Sequence, residues 1–192
     1  MSITFKRFHA SARLSEETVA YDTDVLFNGK PIGSCRNDGR GGEGYFHAHK
    51  DVTKETLEQA NAWARSQHYR ENDGSVANGP DGKPLMMGGI ADFCDYLAEE
   101  TLVQQQYTAA VKRKLKKNAF FTDPARGGEI FALKNVSYSG PAMKDVIEKR
   151  YPGAVVLNAI PLESAIEVFK ANDERLRKAE AEARAAKKPK GP

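Results

Sequence analysis

The residues best suited to chemistry gather between Asn37 and His49. Asn37-Asp38-Gly39-Arg40-Gly41-Gly42 sets one guanidinium among three glycines. Successive glycine N–H groups can cradle an anion, and Arg40 would add a charge-assisted contact to phosphate. The stretch lacks the Lys-Ser/Thr ending of a P-loop and does not run straight into a helix. The plainer and favoured reading of the same residues is a tight inter-strand turn, with Asn37 and Asp38 bonding to their own backbone. His47 and His49 follow at a spacing of two. On a strand that spacing puts both imidazoles on one face, with Asp51 next in phase and Cys35 as a further candidate ligand. A catalytic metal site needs about three ligands, and the only other imidazoles are His9 and His68. No metal and no cofactor is predicted. No catalytic residue is predicted either, because the chain has no Gly-x-Ser-x-Gly elbow and no cysteine with a readable partner. Glu16-Glu17 and Glu99-Glu100 are adjacent, and on a helix adjacent residues do not face each other.

A second candidate surface is basic. Lys112, Arg113, Lys114, Lys116 and Lys117 close the longest helical pattern, and from Lys170 to Pro192 the chain has 8 Lys and Arg against 4 Asp and Glu. Such cations can hold the phosphates of a nucleic acid, with an affinity that falls steeply with salt. Cations at a helix C-terminus also suit the macrodipole, and a solvated helix end and tail give the plainer reading. Aromatic residues do not interleave with this run as a base-stacking platform would require.

These candidates must be positioned by an α+β fold. Ile3 to Leu14 alternates with a slip of phase between Phe5 and Phe8, which predicts a strand with a bulge. Thr18 to Phe27 reads as a strand with Val19, Tyr21, Thr23, Val25 and Phe27 on one face. Asn28-Gly29 is a strong hairpin signal, because both central residues of the favoured turn need φ > 0. Further strands follow through Cys35 and through Tyr45-Phe46, which gives an antiparallel meander over residues 1–50. Helices in 51–118 cover it: one capped by Thr53 and ending near Tyr69, and one over 90–118. Trp63 is expected to be buried against the sheet. Residues 71–89 form a long loop of the kind that is functional or disordered. A strand–helix–strand–helix addition follows over 119–170, with strands at 119–122, 129–136 and 154–160, helix 141–150, and a last helix opened by Pro161. Residues 171–192 form a basic tail, helical or disordered.

A chain of 192 residues with 40% hydrophobic content supports a real core, and its length suggests one body, 1–170, with that tail. The net charge of +3 does not by itself imply nucleic acid. Two distant cysteines, Cys35 and Cys94, read as reduced thiols. The charged first residues and the lack of a run of about 18 apolar residues predict a cytoplasmic protein with no membrane partner.

The two turns carry a resemblance. Asn28-Gly29-Lys30, the Asn37–Gly42 turn, Tyr45-Phe46 and His47 resemble a group of small uncharacterised proteins of bacteriophages and other mobile elements. The Leu157-Asn158 strand end before a helix is also similar. The resemblance implies a phage-like origin, and hence a host cytoplasm, with no activity to carry over. The leading expectation is a non-catalytic binding or accessory protein that acts on a host, phage or defence macromolecule. One alternative is a nucleotide or phosphate binder, enzymatic or not, built on residues 39–44 with His47 and His49. Another is a nucleic-acid binder using 112–117 and 175–190. The partner is a protein or nucleic acid, and self-association into a homo-oligomer is open.

Overall fold

The computed structural model describes residues 1–71 and 74–187. The fold is α+β, and the chain divides into two compact units, Met1–Gln104 and Gln105–Pro192.

The first unit carries a four-stranded antiparallel sheet in the order β1-β2-β3-β4, formed by β1 (Ile3–Ala10), β2 (Tyr21–Phe27), β3 (Lys30–Asn37) and β4 (Tyr45–Ala48). The phase slip in β1 is a bulge between Lys6 and His9, where Arg7 takes φ 55° and its Nε donates to Asp24 at 2.6 Å. The extra residue returns Phe8 to the side of Phe5, and the two rings stack at 5.4 Å. Asn28 and Gly29 both have positive φ, 50° and 78°, so the two-residue turn matches the right-handed strand twist. The alternation in β2 buries Tyr21, Thr23, Val25 and Phe27 on one face, while Val19 lies ahead of the strand.

That face is covered by α1 (Lys54–Arg65) and by the first part of α2 (Ile90–Lys117). Thr53 caps α1 by accepting from the Thr56 amide at 3.2 Å. The helix stops at Arg65, short of the expected Tyr69, because the Tyr69 amide bonds instead to the Leu85 carbonyl at 3.0 Å. Trp63 is half-buried rather than sunk against the strands; its ring meets Phe93 of α2 edge-on at 5.0 Å. The described residues of the glycine-rich segment 71–89 are tied back by isolated bridges, His68 to Met86, Arg70 to Val76 and Asn78 to Pro84.

In the second unit β5 (Ala119–Asp123) and β6 (Glu129–Leu133) form a hairpin across a 3-10 turn at Pro124–Arg126. Then come α3 (Pro141–Arg150) and α4 (Leu162–Lys187). The strand expected at 154–160 is not formed. Its apolar residues Ala154, Val156 and Leu157 are buried, but only Val156 bridges to Phe121, and Leu157–Ala159 is a 3-10 turn. The reason is a side chain: Asn158 Oδ1 accepts from the Phe120 amide at 2.7 Å, taking the position a strand carbonyl would fill. The expected tail is continuous with α4 as far as Lys187, and residues 188–192 lie outside the described residues.

Candidate functional site

The glycine-rich turn is held from within the protein. Asn37 is buried; its Oδ1 accepts from the Gly39 amide at 2.9 Å and from Thr18 Oγ1 at 3.0 Å, and its Nδ2 donates to the Gly42 carbonyl at 3.1 Å. The Gly39 carbonyl accepts from the amides of Glu16 and Glu17 at 2.9 and 3.0 Å. Gly39 is obligatory, with φ +83° and a Cβ position 2.2 Å from the Leu14 carbonyl oxygen. Of the amides expected to cradle an anion, Gly39's is taken by Asn37, Arg40's by Asp38 Oδ1 at 3.3 Å and Gly44's by Asp95 Oδ2 at 2.6 Å. Carboxylates thus occupy two of the donor positions. Arg40 is exposed and shares an open cleft of about 550 Å³ with His9, Asp22 and Asp38.

His47 and His49 are both exposed, His47 on β4 opposite Ser34 and His49 just beyond the strand. Cys35 pairs with Phe46, the neighbour of His47, so Cys35 and His47 point to opposite faces of the sheet. Among the described residues no group of three or more His, Cys, Asp or Glu side chains is arranged to hold a metal.

The residue that organises this turn, Asp95, was not evident from the sequence. From α2 its Oδ1 accepts from Tyr21 Oη at 2.9 Å and from Asn37 Nδ2 at 3.1 Å, while Oδ2 takes the Gly44 amide. Tyr21 Oη also lies 3.3 Å from Cys35 Sγ. Burial first, then the contact with Cys35, pushes the Tyr21 hydroxyl well above its ordinary range. The Cys94 thiol is pushed up by its hydrogen bond with Cys35 and by burial. The available signal was a carboxylate set in an apolar helical run, Phe93-Cys94-Asp95-Tyr96-Leu97.

Charge is unevenly divided along the chain. Residues 1–104 carry 11 Lys and Arg against 16 Asp and Glu, a net of −5; residues 105–192 carry 18 against 10, a net of +8. In the second unit Lys112, Arg113, Lys114, Lys116 and Lys117 are all exposed, while Val111 and Leu115 of the same helix face its core. Among the described residues no carboxylate forms an ion pair with any of the five. They do not serve to cap the helix either. Asn158 Nδ2 donates to the carbonyls of Leu115 and Asn118 at 2.7 and 3.0 Å, and Ser137 Oγ donates to that of Lys116 at 3.4 Å. The heads of Lys112, Arg113, Lys116 and Lys117 are left to solvent.

Among the described residues the two predicted basic segments do not merge. Tyr107 donates to Asp173 Oδ2 at 2.8 Å, and Lys114 lies 5.4 Å over the Phe169 ring, so α4 runs antiparallel to the end of α2. The described residues after Arg175, as far as Lys187, therefore lead away from Lys112–Lys117. Arg175 itself is engaged, through Nη1 to the Gly127 carbonyl at 2.7 Å and through Nη2 to Asn172 Oδ1 at 2.9 Å. Lys188 and Lys190 lie outside the described residues.

The structure defines an α+β protein of two units, one acidic and one basic. Compared with known proteins, the chain matches no family model, no curated protein and no solved structure. No helix among the described residues is long and apolar enough to cross a membrane.

Proposed function

We propose that this is a non-catalytic binding protein that docks through its C-terminal unit onto the phosphate backbone of a nucleic acid. The observation that supports the reading is the end of α2, where five exposed cations have no described carboxylate partner and no capping duty. Cations in that state gain by displacing counterions from phosphates. The net charge of +8 over residues 105–192 extends the attraction beyond the contact itself. The likeness of the two N-terminal turns to mobile-element proteins fits a setting in a host cytoplasm, with a host or phage nucleic acid as partner.

The test is fluorescence anisotropy with labelled single-stranded and duplex DNA across a salt series. A combined Lys112→Gln, Arg113→Gln, Lys116→Gln, Lys117→Gln variant leaves Lys114 on Phe169 and should fold normally. Its dependence of log K on log salt should be shallower by up to about 2.8 on the single strand and about 3.6 on duplex. Wild-type protein that binds neither nucleic acid, or a variant with unchanged affinity and slope, would overturn the reading.

A further inference from the structure

The same end of α2 borders a cleft of about 420 Å³, lined by Leu115, Lys116, Tyr138, Asn158, Ile160 and Leu162 among others. We propose that this cleft receives an unstacked base of a single-stranded nucleic acid whose phosphates lie on the neighbouring cations. The proposal rests on the nucleic-acid reading above and specifies its ligand.

Three features of the cleft fit a base. Its walls include the apolar side chains of Leu115, Ile160 and Leu162, which remain only half-buried. It holds one aromatic side chain, Tyr138, also half-buried. The segment bearing that ring is pinned to the end of α2: Ser137 Oγ bonds to the Lys116 carbonyl, and the Val136 carbonyl accepts from the Ala119 amide at 2.7 Å. Anchoring the backbone beside Tyr138 reduces the ordering needed when a base stacks on its ring, and stacking tolerates any base. Asn158, another lining residue, is fixed by three hydrogen bonds to the end of α2 and to β5.

The electrostatics choose among possible occupants. Lys116 belongs both to the cleft and to the cation run, so an apolar planar group arriving here comes with an anion beside it. A nucleotide unit has that composition. In a duplex the bases are paired and stacked inside the helix, whereas a single strand can turn one outward. The sequence shows aromatics that do not interleave with the basic run; folding supplies one from a segment distant in the chain.

The experiment compares, on the full-length protein, a thymidine strand carrying one 2-aminopurine with an all-abasic strand of equal length and charge, and with duplex. Wild type is expected to bind the base-bearing strand roughly 5- to 150-fold more tightly than the abasic one, with a change in 2-aminopurine emission. Tyr138→Leu should lose that preference and the emission change while keeping the salt slope; Tyr138→Phe should keep all three. Equal binding of abasic and base-bearing strands by wild type, or tighter binding of duplex, would overturn the base cleft and leave the phosphate reading standing. Failure to bind any of the three would overturn both. If Tyr138→Leu does not fold, judged by circular dichroism, the wild-type comparison of strands still decides.

Discussion

Asp95 of α2 accepts the Gly44 amide at 2.6 Å, so a carboxylate on a helix fixes the exit of a turn more than fifty residues earlier in the chain. Its other oxygen is shared by Tyr21 and Asn37. In Asp95→Asn one acceptor becomes a donor facing other donors. The variant should lose about 1–3 kcal/mol of stability and expose the Gly44 amide to solvent exchange. Denaturant unfolding and amide hydrogen exchange measure the two effects. Full protection of Gly44 in the variant would show that the turn holds itself.

Two glycines of that turn should respond differently to a methyl group. At Gly39 a Cβ would meet the Leu14 carbonyl oxygen at 2.2 Å, whereas at Gly42, with φ +87°, nothing lies within 4 Å. Gly42→Ala should cost about 1–2 kcal/mol, the strain of the left-handed conformation alone. Gly39→Ala should cost clearly more, since the backbone must also move. Thermal unfolding of the two variants side by side is the check, and equal losses would mean the Leu14 carbonyl yields freely.

Asn158→Ala should destabilise the C-terminal unit by about 2–4 kcal/mol, because it strips a donor from two carbonyls at the end of α2 and an acceptor from Phe120. Asn158→Asp keeps the acceptor but turns a second oxygen towards those carbonyls. It should be less harmful at low pH, where the carboxyl is protonated and can donate. Chemical denaturation at two pH values separates the variants.

Tyr21 sets an alkaline limit on stability. Burial and the contact with Cys35 raise its folded pKa above the ordinary value of 10.0, so the native state keeps a proton that the unfolded state releases. The stabilisation is complete below pH 10 and is lost as pH rises above it, with a slope approaching about 1.4 kcal/mol per pH unit. Tyr69 is raised in the same direction, by burial and by its hydrogen bond to Asp92, and adds to the slope. Tyr21→Phe should flatten the loss of stability above pH 10 and remove one late-titrating group from the tyrosinate absorbance curve. An unchanged alkaline profile would show that Tyr21 ionises freely.

Local order by itself determined much of this protein. The bulge in β1, the Asn28-Gly29 hairpin, the buried face of β2, the Thr53 cap and the extents of α2 and α3 follow from neighbours within a few residues, where side-chain period and turn chemistry act directly. The candidate site residues were legible as types: a glycine-rich turn, two histidines and a basic helix end. Their roles were not. Whether the Gly39 and Gly44 amides face a ligand or a side chain depends on Asn37 and on Asp95, the latter delivered by a different element. The apolar run at 154–160 has the composition of a strand, yet Asn158 takes the backbone partner from across the fold and a 3-10 turn results. Tyr138 and Lys116 become walls of one cleft only because β5 and β6 turn the chain back to the end of α2. Hydrogen bonds between distant segments leave no period in the sequence, so only the tertiary structure decides which polar groups remain free to meet a partner.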